Sequence, residues 1–261
     1  MRFERRLMRV ELCHRAFADA RTVRNLKDEL LGAMGDFKAT RAVLRVLTEG
    51  PRGDAHFRLE ANVRTHAGEL AVFGCNAPER TPPEMELHRE TTYLAKTLCQ
   101  QRRPLRQGLG IIRLDSDRSA AEEVSALLCK TYSSHPMGLD PVSVLGYMER
   151  FICYGVLERG AIVSALFGQP HDFGPLRAVE FTLSATSKAA RGTGLTTALA
   201  ARIKSEAESR YERPLMIAET IAAPVMRSCH DLGMQCSGVL RSHYSIGIGE
   251  RLFTNLYLWS L

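Results

Sequence analysis

Arg191-Gly192-Thr193-Gly194-Leu195-Thr196 is the stretch whose residue types and spacing could do chemistry. Glycine lets a backbone come close to a ligand, and the arginine beside it supplies positive charge. Such a loop suits a phosphate or pyrophosphate when it opens a helix. The first turn of a helix presents N–H groups without internal partners and the positive end of the dipole. Two better-known phosphate motifs fail here. No Lys follows the second glycine, which excludes GxxxxGK[ST], and Thr197 stands where GxGxxG needs its third glycine.

The elements that must position this loop are legible on both sides of it. Val179–Thr186 is rich in β-branched and apolar residues and predicts a buried or half-buried strand. Leu195, Leu199 and Ile203 recur every four residues, with Ala198 and Ala207 beside them, which predicts an amphipathic helix to about Arg210. The two glycines and the basic residue therefore lie where a strand turns into a helix.

The totals bound the rest. A chain of 261 residues makes one large or two small domains, and 45% hydrophobic with 25% charged residues gives a globular protein with a real core. The net charge of +6 suits an anionic ligand, but the charges are spread along the chain, as on a solvated surface. No apolar run approaches the ~18 residues of a membrane span. The basic start Met1-Arg2-Phe3-Glu4-Arg5-Arg6 is followed by no apolar segment, so no secretion signal is expected. Seven cysteines, an odd number without a CxxC pair, argue against a zinc site and a disulfide framework and for a reducing cytoplasm.

Along the chain, 1–107 is read as an N-terminal α/β domain. Its expected elements are a strand over Leu7–Cys13, a helix over Thr22–Met34, a buried strand over Ala42–Leu47 and a hairpin turning at Thr65–Glu69. Asn76–Pro83 reads as a loop, 90–98 as a strand or short helix, and Gln100–Gly108 as the linker. From 108 to 261 the pattern becomes regular. Ile111–Leu114 is a strand, and Asp117 or Ser119 caps a helix to Thr131. Asp140 caps a second helix, Pro141–Arg150, with Pro at its first position. Phe151–Leu157 and Ala161–Phe167 are strands about a Glu158-Arg159-Gly160 turn, and His171–Pro175 is read as another turn. After the glycine loop and its helix come a strand over Leu215–Glu219, a helix over Pro224–Leu232 closed by Gly233, and strands over Val239–Ile246 and Leu252–Trp259. The order is β-α-α-β-β-β-α-β-α-β-β.

That order, with Arg-x-x-Gly-x-(Gly/Ala) matched by Arg191–Thr196 except for a final Thr, resembles the GNAT acetyltransferase superfamily over residues 108–261. Leu232-Gly233-Met234 is similar to the family's Leu-Gly-Phe signature. Glu180, Thr182, Ala185 and Thr186 coincide with the Ala-Glu-Met-Thr-Asp-Phe-Ala-Thr run of the β-lysine N-acetyltransferases, and Asn255–Trp259 is similar to their Met-Asn-Val-Trp ending. Leu183 replaces their Asp, and Arg241-Ser242-His243-Tyr244 replaces Asn-rich residues, which implies a changed substrate pocket. The fold implied is mixed α/β (α+β): a GNAT fold with a mixed central sheet flanked by helices. The smaller domain before it would be a partial GNAT-like half, with strands over Ala42–Leu47, Phe57–Arg64 and Thr92–Leu98.

The resemblance implies acetyl transfer from acetyl-CoA, or another acyl-CoA, to a primary amine. An amine attacks only when neutral, so a base must take its proton, and the family places that base at Glu180. The family's thiolate acid, a Tyr, falls at Cys229. Backbone groups of Leu183, Ser184 and Ala185 would pair with the pantetheine arm. Arg191, Gly192, Thr193, Gly194, Leu195 and Thr196 would hold the pyrophosphate. Tyr132, His135, His243 and Tyr244 would line the acceptor pocket. The expected partner is a small-molecule amine rather than a membrane or nucleic acid, with no metal and with room for a homodimer. Two alternatives stand beside it: acyl transfer to a protein or RNA amine, and a non-catalytic binding module on the same fold.

Overall fold

The computed structural model describes residues 2–4, 9–77, 94–99, 101, 108–132, 135, 137–220, 222–246 and 252–261, with backbone alone for 2–4, 10, 241–246 and 252–257. The chain falls into two bodies. One comprises Met1–Lys96, Asp172–Arg177 and Cys236–Ser260; the other comprises Thr97–His171, Ala178–Gln235 and Leu261. Cys236–Ser260 thus group with the first body, whereas the sequence boundary near 107 put them with the second. The physical reason is strand pairing, since Gly238 pairs with Ala61.

In the first body the strands are β1 (Arg2–Glu4), β2 (Arg9–Ala18), β3 (Arg41–Thr48), β4 (Arg58–Thr65), β5 (Gly68–Asn76), β11 (Gln235–Ile246) and β12 (Leu252–Ser260). Their order across the sheet is β1-β2-β3-β5-β4-β11-β12. Helix α1 (Ala20–Asp36), capped by Asp19, joins the parallel pair β2–β3. Its Val23, Leu30 and Ala33 pack on Ala42, Leu44 and Val46 of β3. The alternate residues Arg41 and Arg45 of β3 are also buried, and they are ion-paired. Arg41 binds Glu60 at 2.5 Å and Arg45 binds Glu11 at 2.6 Å. The β4–β5 hairpin turns at His66-Ala67 as expected, with Thr65 Oγ1 donating to the Gly68 carbonyl at 2.8 Å. The expected strand over Thr92–Leu98 is not one: 94–98 are helical, and 92 and 93 lie outside the described residues.

In the second body the strands are β6 (Ile111–Arg113), β7 (Ile152–Glu158), β8 (Ala161–Phe173), β9 (Leu176–Thr186) and β10 (Leu215–Thr220), in the order β10-β9-β8-β7-β6; the last residues of β8 and the first two of β9 belong to the first body. The sheet is mixed. β6–β7 and β7–β8 are antiparallel, and β9–β10 is parallel. The β7–β8 turn is two residues, Arg159-Gly160, with φ of +52° and +81°, the left-handed pair that matches strand twist. Helices α2 (Arg118–Thr131) and α3 (Pro141–Arg150) are capped by Asp117 and Asp140 as their sequence predicts. They pack on Cys153, Ala165 and Phe167 of the sheet. Helix α4 (Leu195–Arg210) packs on Ile152, Tyr154 and Leu166. Residues next to one another on a strand point to opposite faces, so α2 and α3 lie on one face and α4 on the other. Helix α5 (Ala223–Asp231) follows β10 and touches α4.

The expected turn over His171–Pro175 is shorter than its sequence suggests. β8 runs on to Phe173, and only Gly174-Pro175 form the turn. Among the described residues, no helix is long and apolar enough to cross a membrane, and no group of three His, Cys, Asp or Glu could hold a metal ion.

Candidate active site

The site is organised by an irregularity in β9. Leu183 has φ +43°, rare for a residue with a side chain. Before it, Val179 and Phe181 pack on the α4 side. After it, Leu183 and Ala185 pack with α2 and α3. The alternation therefore changes phase between 181 and 183, as at a β-bulge. The parallel pairing with β10 ends at the same place. Its register runs from Leu215↔Ala178 to Ala218↔Phe181, and beyond that pair β9 continues to Thr186 and β10 to Thr220.

Ser164 on β8 donates to the Ala185 carbonyl at 3.2 Å. Carbonyls alternate sides along a strand, so the Ser184 carbonyl turns away from β8, to the edge that β10 has left. There Tyr132 Oη donates to it at 2.7 Å.

At the end of β9 the chain makes a short 3₁₀ turn, Lys188–Ala190, and enters the glycine loop. Arg191 Nε donates to the Thr186 carbonyl at 3.2 Å, and Thr193 Oγ1 donates to the Ala190 carbonyl at 2.6 Å. Gly192 and Gly194 have φ of +77° and +82°, and a Cβ at either would meet no heavy atom within 4 Å. Gly194 is the N-cap of α4, and no side chain caps that helix. The start of α4 is therefore an open cradle lined by backbone.

Glu180 lies just before this edge opens, opposite Ile217 of β10. Its Oε2 is 2.9 Å from Nε2 of His171 on β8, and the two side chains are 18% and 19% exposed. Arg177 pairs with Asp172, and Arg191 is on the Thr186 carbonyl. Glu180 and Thr182 share a face by alternation, and Thr182 Oγ1 is 3.8 Å from Met137 Sδ. Met137 N–H in turn donates to His135 Nδ1 at 3.2 Å, and the His135 ring stands 5.0 Å from that of Tyr132. Burial holds the His135 imidazole below its ordinary value. With Nδ1 accepting, the ring proton is on Nε2.

The structure thus gathers Glu180, Leu183, Ser184, Ala185, the 191–196 loop, Tyr132 and His135 along one strand edge and the segment beside it. Cys229 is 3% exposed within α5. His243 and Tyr244 are on β11, and their side chains lie outside the described residues. Sequence reading missed His171, because Asp172 to Pro175 carry turn chemistry and absorbed it.

No protein-family model and no curated protein matches the chain. Solved structures similar to it include a ribosomal-protein-alanine N-acetyltransferase from Brucella melitensis, at 17% identity and TM-score 0.49, over 58% of this chain and 98% of that one. Another is an acetyltransferase of the GNAT family from Desulfovibrio desulfuricans, at 16% and 0.48, over 59% and 98%. A third is the microcin C7 self-immunity acetyltransferase in complex with acetyl-CoA and AMP, at 11% and 0.46, over 58% and 92%. These are low-identity resemblances of chain path, and the chemistry of the site stands on its own residues.

Proposed function

We propose that the second body is an acyl-CoA-dependent N-acyltransferase that moves an acetyl group from acetyl-CoA to a primary amine of a small, amino-acid-like molecule. The observation that carries this reading is the edge of β9 beyond Phe181, which runs from just past Glu180 to the open start of α4.

In this reading the amides at the start of α4 and the Arg191 guanidinium bind the pyrophosphate. The two glycines keep side chains out of its way, and the empty space around their Cβ positions fits the group. Backbone groups of Leu183 to Ala185 pair with the arm as an added strand would. Acetyl-CoA supplies the activated thioester. Glu180 takes a proton from the incoming ammonium so that the neutral nitrogen can attack; a C–N bond forms, the C–S bond breaks, and a second proton from the amine ends on the departing thiolate. Tyr132 Oη, which donates to the Ser184 carbonyl, would give up that bond where the arm takes it. Cys229, buried in α5, serves packing. The β-lysine resemblance, carried by Glu180, Thr182, Ala185 and Thr186, selects diamino acids as the first acceptors to try.

The test is thiol release from acetyl-CoA with a panel of diamino acids, polyamines and basic peptides, followed by mass analysis of the product. Amine-dependent thiol release with an acetylated product supports the reading. An enzyme that binds acetyl-CoA and turns over no amine moves the chain to a binding module.

A further inference from the structure

The glycine loop is tied to the end of β9 through one residue. Thr186, the last residue of that strand, meets both ends of the Arg191–Thr196 stretch. Its carbonyl accepts from Arg191 Nε at 3.2 Å, and its Oγ1 is 3.4 Å from Thr196 Oγ1 in the first turn of α4. The same Thr186 hydroxyl is 2.8 Å from Oγ of Ser164, a fully buried residue of β8.

The donors in this chain of hydroxyls follow from proton count. Ser164 Oγ donates to the Ala185 carbonyl at 3.2 Å, and a hydroxyl has one proton to give. Thr186 therefore donates to Ser164, and Thr196 donates to Thr186. The three protons run one way, from the start of α4 into the β8–β9 pair. A buried hydroxyl that loses its partners bears its full desolvation cost, so Ser164 is the fixed end of the chain. The Thr186–Thr196 link is longer than an ordinary O–H···O bond and is the end that can give. Thr196 is also where the loop departs from Arg-x-x-Gly-x-(Gly/Ala), and a glycine or alanine at that position has no hydroxyl to reach Thr186.

The chain joins two parts of the proposed cofactor site. Ala185, whose carbonyl takes the Ser164 proton, belongs to the backbone that pairs with the arm. Thr196 belongs to the turn that binds the pyrophosphate. A ligand that engages both at once binds more tightly when their spacing is set beforehand, because less freedom is lost on binding.

We propose that Thr186 is the positioning residue of the pyrophosphate loop, through its hydroxyl, an inference that rests on the acyl-transfer reading. It acts through Thr196 and the first turn of α4 rather than on the ligand.

The experiment compares wild type, T186A, T186S and T186V, each first shown to fold by circular dichroism. Serine keeps the hydroxyl and alanine removes it. Valine removes it while keeping the branched shape that suits a strand, so T186V carries the test if T186A folds poorly. Calorimetry reads the affinity for acetyl-CoA and for acetyl-pantetheine, which has the arm and the thioester but no pyrophosphate. The expected result is acetyl-CoA affinity about three- to tenfold lower in T186A and T186V, the worth of one hydrogen bond. Acetyl-pantetheine affinity should stay within about twofold of wild type in every variant, and T186S should match wild type with both ligands. A general loosening of β9 would weaken both ligands alike, so equal losses overturn the inference. Unchanged acetyl-CoA affinity in folded T186A or T186V overturns it too, as does T186S binding acetyl-CoA as weakly as T186A. Each of those results leaves the acyl-transfer reading standing. Wild type that binds no acetyl-CoA removes the reading and the inference together.

Discussion

Replacing Gly194 with alanine separates what that glycine does for the fold from what it does for a ligand. Gly194 has φ +82°, and no heavy atom stands within 4 Å of an added Cβ. Gly160, in the β7–β8 turn, has φ +81° and the same empty surroundings. With no clash at either position, the cost of alanine is backbone strain alone, about 1–2 kcal/mol. Both variants should therefore melt a few degrees below wild type, at about 2–4 °C per kcal/mol for a protein of this size. They should differ only with ligand. A methyl group at Gly194 stands on the cradle at the start of α4, whereas Gly160 is in a turn remote from it in sequence. Acetyl-CoA at a hundredfold excess over Kd stabilises wild type by about 2.7 kcal/mol, and a tenfold loss of affinity reduces that to about 1.4 kcal/mol. Scanning calorimetry with and without acetyl-CoA reads both quantities. G160A should keep the full ligand shift and G194A about half of it. Equal ligand shifts in wild type, G160A and G194A refute the claim that Gly194 faces the pyrophosphate.

Other consequences are as direct. E180Q should bind acetyl-CoA as wild type does and lose 10²- to 10⁴-fold in kcat, the usual worth of a general base, whereas C229A should keep wild-type kcat; steady-state kinetics checks both. The Arg41 and Glu60 side chains form a buried ion pair, so E60A takes the carboxylate from a buried guanidinium and should cost about 3–5 kcal/mol in urea unfolding, most of it recovered in the apolar double variant R41M/E60L. Cys13, Cys99 and Cys129 are exposed and Cys153 and Cys229 buried, with burial pushing the Cys153 thiol far up. A thiol reagent should label the first three in the native protein and the last two only on unfolding, as mass spectrometry of timed samples can show. Hydrogen bonds from Ser143 hold the Asp140 carboxyl below its ordinary 3.8. A depressed folded value means that this cap stabilises α3 above about 3.8 and is lost as pH falls through the lower value. Amide exchange in α3 should accelerate below that pH in wild type and be fast throughout in D140A.

What was legible in the sequence was local chemistry. Asp117 and Asp140 announce their helices because a cap needs only its own side chain and the next turn. Glu158-Arg159-Gly160 announces a turn, and the glycine loop announces itself because two left-handed residues are hard to place elsewhere. What was not legible depends on neighbours distant in sequence. Leucine has no preference for φ +43°, so the bulge at Leu183 had no local signal; it follows from how β9 is held between β8 and β10. His171 was hidden because Gly174-Pro175 do make a turn, and nothing in the sequence says that β8 reaches Phe173 first. β3 read as an apolar strand, although Arg41 and Arg45 are buried in it beside Ala42, because their partners Glu60 and Glu11 come from β4 and β2. The grouping of Cys236–Ser260 with the first body rests on the pairing of Gly238 with Ala61, a contact between residues far apart in the chain.

The most direct test of the account is calorimetric titration of the intact protein with acetyl-CoA and, separately, with acetyl-pantetheine, which keeps the thioester and the arm but lacks the pyrophosphate. The account predicts one acetyl-CoA per chain and binding of acetyl-pantetheine weaker by about a hundredfold or more, the worth of two charge-assisted hydrogen bonds. Absence of acetyl-CoA binding, or equal affinity for the two compounds, would contradict it.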